Sequence, residues 1–580
     1  MVGLIFFQEI ALCLSTLLML IPWIILLDRI EKLREFKIYI LLLLGLITRL
    51  IFAPFFGHAT DIARGYLAVD ALLQGKSPYT NDPDTAHYHT PLIYITETLV
   101  FLVLGKSFFS FKVPIIISEV ILGFVIYKTS IEFTSNERLS YWACALFLTN
   151  PWTYFQTTIF GHFDAIPTLF MVLAIYLLIK ERVKLSALSL GIGTMYKLFP
   201  VLISPIVILY LARQKRWKHI IEYIAVIVLF SVIVSLPFLI VSYGPYISVL
   251  TASGGIRGMS IYRLLFYFSS KAGISINERI ISMIILGMGI LITLMIFIMR
   301  DVIDKNFGLL EESTFFLLIF MLLNRYLSEQ YIVWTIPFLI LYFTMKSTGP
   351  QLGDMALYYS YSCAAFFYRA VKWSVWFSLY DDFGFVFFST FVLSILFWHL
   401  IGWLIAIRFF SKNLPKKISD SVESILVRLP QWLRISEKRS ERGGLRSYMK
   451  VLVLQIDFSV LCTAIITGIM IVIFIFQGKT DVSFELSLIL IILLSVLVAG
   501  LLRTGLFLSR IETSNTIYTF INFWIIYIFE VGIYFHTDLL TILWRAFIIA
   551  LSSSLGYILI SFIAKIRHTD KPSTFLDESH

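Results

Sequence analysis

Charge is what this sequence has least of. Of 580 residues only 14% are Asp, Glu, Lys or Arg, whereas 58% are hydrophobic. Soluble domains carry about 25% charged residues, so with a mean hydropathy of +0.86 a soluble globular fold is excluded. Cysteine is scarce too. Cys13, Cys144, Cys363 and Cys462 stand far apart, without metal-type or redox spacing, and read as packing residues. Short alternating apolar segments are missing, which argues against a transmembrane barrel. No Lys or Arg precedes Arg29, so the charged start of a cleavable signal peptide is lacking. The first apolar run therefore reads as a retained span with its N-terminus outside.

What is present is a series of long apolar runs, such as Glu9–Leu27, Ile280–Met299 and Leu486–Leu502. Runs of about 20 apolar residues let a helix cross a bilayer core, so the fold class is all-α, a polytopic integral membrane protein. The formal net charge of +10 does not point to nucleic acid, because residues 411–450 alone hold ten Lys/Arg against four Asp/Glu. A basic segment beside spans marks the cytoplasmic face and contacts anionic membrane lipids.

Alternating spans between basic loops gives a consistent path. Residues 9–27 run inward, 38–56 outward, and 57–91 form an outer segment. Residues 91–105, short and containing Glu97, read as an interfacial or re-entrant helix. Spans follow at 112–130, 139–153 and 163–180, then an out-and-back pair, 185–196 and 200–212, broken at Lys197–Pro200. Residues 220–241 lead to an exterior loop, 242–278, and further spans fall at 280–299, 313–325, 331–345, 355–371 and 383–408. The expected domains are a membrane module at 1–410, a basic amphipathic linker at 411–450, a four-span module at 451–566 and a cytoplasmic tail at 567–580. The total is roughly 17 spans.

The polar residues with chemical potential gather on the outer side by this parity. Asp61 stands just beyond a span, with Arg64 one helical turn on, where it can keep the carboxylate ionised. Lys197 lies between two half-length apolar pieces, where a structural use for a cation is hard to see. Arg257 and Arg263 can hold phosphate or simply be solvated. His162 and Asp164 can meet sugar hydroxyls or form an inert turn, and Glu329 can bind ligand or merely favour a helix start. Arg49 either faces a cavity or pairs with Glu97. His87 and His89 have no partner at a metal-type spacing, so no metal and no cofactor is expected.

Several segments resemble a known family. Thr60-Asp61-Ile62, Asp70-Ala71, Gly75-Lys-Ser-Pro-Tyr79 and Thr90-Pro91-Leu92 resemble the first luminal loop of membrane-embedded GT-C class glycosyltransferases. The likeness is above all to the GPI mannosyltransferase I family and its prokaryotic relatives that use polyprenyl-phosphate sugars. It continues through Asn150-Pro-Trp152, Gly161-His-Phe-Asp164, Tyr196-Lys-Leu-Phe-Pro200 and Ser328-Glu-Gln-Tyr331, in the same order over about residues 38–345. The family carries Asp-X-Asp, whereas Asp61-Ile62-Ala63 keeps only the first carboxylate. The 451–566 module weakly resembles small GtrA-like proteins associated with lipid-linked sugar translocation.

The resemblance implies a GT-C-like helical bundle with outer-face loops, set in the plasma membrane of a prokaryote. It implies transfer of a hexose, mannose first, from a polyprenyl- or dolichyl-phosphate donor to a lipid-linked or glycan acceptor. A phosphate leaves without needing a proton, so the chemistry asks for a base and for cations on the leaving group. The expected base is Asp61, and the expected phosphate ligands are Lys197, Arg257 and Arg263. The substrate contacts are Arg64, Asp70, Tyr79, His89, His162, Asp164, Glu329 and Gln330. The rival reading is a flippase or transporter for a polyprenyl-linked sugar, without covalent chemistry. Such proteins tend to show repeated halves and midplane charges, and neither is evident.

Overall fold

The structure, a computed structural model, describes residues 36–54, 57, 59–79, 89–251, 257–271, 273, 277–299, 305–345 and 398–407, with single positions from 20 to 30 and from 361 to 396. Two compact units divide the chain, residues 42–455 and residues 1–41 with 456–580. The linker at 411–450, the four-span module at 451–566 and the tail at 567–580 lie outside the described residues. So do most of the first span and most of 355–371.

The described part is a bundle of helices, as the apolar runs require. In chain order these are α1 (Lys37–Phe52), α2 (Ala59–Leu73), α3 (Pro91–Leu104), α4 (Phe108–Thr134), α5 (Glu137–Leu148) and α6 (Pro151–Tyr154). A π turn, Phe155–Ile159, leads to α7 (Ala165–Ile179) and α8 (Val183–Tyr196), and a 3-10 turn, Phe199–Ile203, leads to α9 (Ser204–Arg213). Then come α10 (Trp217–Val241), α11 (Tyr243–Thr251), α12 (Ile261–Lys271), α13 (Glu278–Met299), α14 (Lys305–Leu323) and α15 (Ile332–Met345). The helix α16 covers Trp398–Ile407.

Local chemistry sets the ends. Ser107 caps α4 by accepting from the Ser110 N–H, and Asn136 caps α5 by accepting from Leu139, each satisfying a donor the helix leaves free. Pro91 opens α3, where its missing N–H costs nothing, and Gly105 closes it at φ 75°. The expected exterior loop 242–278 is not irregular throughout, since α11 and α12 lie within it. Both are too short to span a bilayer, which is why apolar run length alone passes over them.

Among the described residues, Phe108–Thr134, Trp217–Val241 and Arg279–Met299 are long and apolar enough to cross a membrane. The molecule is a polytopic helical membrane protein. Helices α10 and α13 carry long exposed apolar faces, from Ile221 to Val241 and from Met283 to Met299, whereas α5 is enclosed along Tyr141–Leu148. Cys144 is buried and free, in keeping with a packing residue.

One ion pair ties α1 to the bundle. Arg49 Nε donates to Glu119 Oε2 at 2.7 Å and its Nη2 to Oε1 at 3.0 Å, with both side chains fully enclosed. Arg49 also donates to the carbonyls of Gly45 and Leu148. The expected alternatives for Arg49, a cavity or Glu97, are thus corrected. Its carboxylate partner is Glu119 on α4.

Candidate functional site

The site begins with a buried lysine on α4. Lys112 Nζ donates to the carbonyls of Thr158 at 2.7 Å, Ile159 at 2.8 Å and Ala53 at 3.2 Å. A π turn departs from the regular helical ladder, and this ammonium gathers carbonyls at its end. Gly161 follows at φ 78°, a backbone region that glycine adopts without steric cost. The His162 N–H then bonds back to the Gln156 carbonyl at 2.8 Å. This turn delivers His162, Phe163 and Asp164 to the start of α7, all of them buried.

The break between α8 and α9 supplies the opposing cation. Helix α8 ends at Tyr196, and Lys197 takes extended backbone at φ −164°, ψ 138°. Lys197 Nζ donates to Asp164 Oδ1 at 2.7 Å, and Trp334 Nε1 donates to the same oxygen at 2.6 Å. The ammonium also lies 4.6 Å from the ring centre of Tyr331, 5.2 Å from that of Phe163 and 5.5 Å from that of Trp334. An ammonium has three N–H donors, and Asp164 takes one. The other two have no polar partner among the described residues. Asp164 Oδ2 is buried without a hydrogen-bond partner, a rare condition for an interior polar atom.

A third segment closes the site. The two-residue strands β1 (Arg257–Gly258) and β2 (Tyr326–Leu327) pair in parallel, with Arg257 opposite Tyr326. Gly258 is at φ 66°, and a Cβ there would fall 1.9 Å from the Leu327 carbonyl oxygen, so only glycine permits the pairing. Strand β2 runs directly into the turn Glu329–Tyr331. Trp152 holds that turn by donating from Nε1 to the Glu329 carbonyl at 3.2 Å.

The outer segment joins through its end. His89 packs edge-on to Phe163 with centroids 4.6 Å apart, and Tyr79 donates to the His89 carbonyl at 2.9 Å. Tyr79 is enclosed by Tyr94, Phe238 and Tyr246. Burial, with Tyr94 and Tyr246 adding to it, pushes its hydroxyl far above the ordinary phenol range, so Tyr79 stays neutral and anchors the loop.

Of the expected residues, Lys197, Asp164, His162, His89, Tyr79, Glu329 and Gln330 therefore lie on segments that meet. Asp61 sits in the first turn of α2, and its side chain, like that of Arg257, lies outside what the structure describes. Its neighbour Ile62 is fully buried, and Ile62 Cδ1 would be 3.6 Å from a Cβ on Gly161. Arg64 and Arg263 are exposed. Asp70 forms a half-exposed ion pair with Lys106 at 2.6 Å, and no bond takes it to Lys197. Lys112 and the Trp334 bond to Asp164 were not anticipated. Lys112 had a signal, a cation heading an apolar run. Among the described residues no three His, Cys, Asp or Glu side chains come together to hold a metal ion.

Known proteins resemble the chain over this region. The family model for glycosyltransferase family 87 matches residues 95–323. A curated relative, GPI mannosyltransferase 1 of Candida albicans, is 26% identical over 292 residues, which is 46% of this chain and 70% of the relative. The crystal structure of ArnT from Cupriavidus metallidurans bound to undecaprenyl phosphate superimposes with a TM-score of 0.40 at 11% identity. That match covers 72% of this chain and 86% of that one.

Proposed function

The chain is a membrane glycosyltransferase of the GT-C class, and from that premise we propose that it moves a hexose, mannose first, from a polyprenyl- or dolichyl-phosphate donor to a lipid-linked or glycan acceptor. The reaction runs at the outer face of a prokaryotic plasma membrane. The observation that carries this reading is the Lys197–Asp164 pair at 2.7 Å, standing where Gly161–Asp164, Tyr196–Pro200 and Ser328–Tyr331 converge.

The acceptor hydroxyl oxygen attacks the anomeric carbon, and the bond from that carbon to the phosphate oxygen breaks. The electron pair departs with the lipid phosphate, so the anomeric centre inverts. Two Lys197 N–H donors remain for phosphate oxygens, with Asp164 keeping the ammonium in place. Such a fixed cation stabilises developing charge without reorganisation. Arg257 and Arg263 add to the phosphate contacts. Asp164 Oδ2, buried and unbonded, accepts a sugar hydroxyl. Asp61, on α2 beside the Gly161 turn, takes the acceptor proton. Arg64 on the same helix, with His89, His162, Glu329 and Gln330, lines the substrate path.

The test is incubation of the purified protein with a panel of polyprenyl-phosphate hexoses and lipid-linked acceptors, read by mass spectrometry. Appearance of an acceptor heavier by one hexose supports the reading. Translocation of intact donor across a vesicle membrane, with no transfer product, points to a flippase instead.

A further inference from the structure

Lys197 and Asp164 share one hydrogen bond, and one bond leaves a lysine stem free to swing about its carboxylate. A misplacement of about 1 Å in a positioned group costs on the order of 10²-fold in rate, so a third group is needed to fix the pair. A distant helix supplies it. Trp334 stands in the first turn of α15, which is buried along its whole length. Its Nε1 donates at 2.6 Å to Asp164 Oδ1, the oxygen that Lys197 also holds. An indole N–H only donates and an ionised carboxylate only accepts, so the two cannot exchange roles. Hydrogen bonds to a charged acceptor are among the stronger ones.

The indole is itself fixed. Phe199 stacks on it with ring centres 3.5 Å apart and planes 3° apart, and Tyr331 stacks at 4.2 Å and 21°. Two rings this close and this nearly parallel cannot share one face, so they sandwich Trp334. Phe199 opens the 3-10 turn two residues after Lys197, and Tyr331 closes the turn that Trp152 holds. The sandwich therefore joins α15 to both backbone segments that frame the Lys197 ammonium. That ammonium lies within cation–π reach of the Trp334 and Tyr331 rings, at 5.5 and 4.6 Å from their centres. Trp334 is 3% exposed, whereas the Lys197 side chain is 11% exposed and is the member of the set that a ligand reaches. A phosphate that takes the remaining Lys197 donors draws the ammonium away from Asp164. Oδ1 then still has its bond to Trp334, so the carboxylate keeps its place and the lysine stays tethered.

We infer that Trp334 is a positioning residue for the donor phosphate: through its bond to Asp164 it sets where the Lys197 ammonium stands. The inference rests on the transferase reading given above.

Replacing Trp334 in the full chain by benzothienylalanine, through a nonsense codon, puts sulfur where the N–H was and keeps the ring system and its stack. A packing role survives this exchange and a positioning role does not. The expected result is a fall of about ten- to hundred-fold in kcat/KM for the lipid-phosphate hexose, with KM for the acceptor unchanged. Trp334→Phe, which also lacks the N–H, should show at least the same loss. Full activity of the isostere, or equal losses for donor and acceptor, overturns the proposal. A readout without turnover keeps it apart from the transferase reading. Undecaprenyl phosphate, which carries no sugar, should raise the melting temperature of the unaltered protein, and the isostere should need about ten-fold more lipid for the same rise. That difference without transfer from any donor refutes the transferase reading alone. Equal shifts in the two proteins refute the positioning role, and no shift in the unaltered protein refutes the phosphate-binding lysine and the positioning role with it.

Discussion

Asp164 uses its two carboxylate oxygens differently. Oδ1 takes both Lys197 and Trp334, and Oδ2 takes neither. Asp164→Asn keeps an acceptor for Trp334 but removes the charge beside an ammonium whose side chain is only 11% exposed. Removing one member of a buried pair costs about 3–5 kcal/mol, so this variant should melt well below the unaltered protein in detergent and lose donor affinity. An unchanged melting point and an unchanged KM for the donor would remove the pair from the account. Asp61→Asn, in contrast, should fold and bind donor but lose about 10²–10⁴ in rate, as expected of a missing base. Asp70→Asn is the control, since Asp70 pairs with Lys106 on the surface, and full activity is expected of it. The reverse pattern would move the base. Lys197 was legible in the sequence because a cation between two half-length apolar pieces is expensive. Its partner was not, because Asp164 lies 33 residues away and Trp334 lies 170 residues from Asp164.

Among the elements, the turn between α6 and α7 matters most, and Lys112 holds it. Lys112→Met preserves the length of the stem but leaves the carbonyls of Thr158, Ile159 and Ala53 without their donor. Each unmet buried group costs about 1–3 kcal/mol, so both thermal stability and transfer should fall together. Gly258→Ala addresses the other hinge. Its Cβ would meet the Leu327 oxygen, so β1 must leave β2. Transfer should drop sharply while the membrane-spanning helices stay intact, as circular dichroism can check; full activity would show the pairing to be dispensable. The spans were legible from apolar run length to within a few residues at α4, α10 and α13. Helices α11 and α12 were not, since a short helix leaves no run long enough to stand out from a loop. The clamp of Arg49 on Glu119 escaped too, because a lone Glu within a span carries no mark of its partner.

For the whole molecule, orientation decides whether the reading is tenable. In a background lacking native cysteines, a cysteine at Pro83 should react with an impermeant thiol reagent from outside, and one at Lys417 should not. Swapped labelling would put the Lys197 centre on the cytoplasmic side and contradict transfer at the outer face. The basic stretch 411–450 made this prediction possible from sequence alone. Sequence could not disclose that dispersed stretches of chain, from Tyr79 to Tyr331, meet through Phe163, Lys197 and Trp152, because that meeting exists only in the folded bundle.

Lys197→Met, with KM measured separately for the lipid-phosphate hexose and for the acceptor, tests the central claim most directly. Methionine keeps an unbranched apolar stem among Phe163, Tyr331 and Trp334 and removes the charge. A positioned group on developing charge is worth about 2.7–4 kcal/mol, so kcat/KM for the donor should fall roughly 10²–10³-fold, while KM for the acceptor stays within a factor of about two. Equal losses for both substrates, or no loss for the donor, would contradict a phosphate-binding lysine and the site built around it.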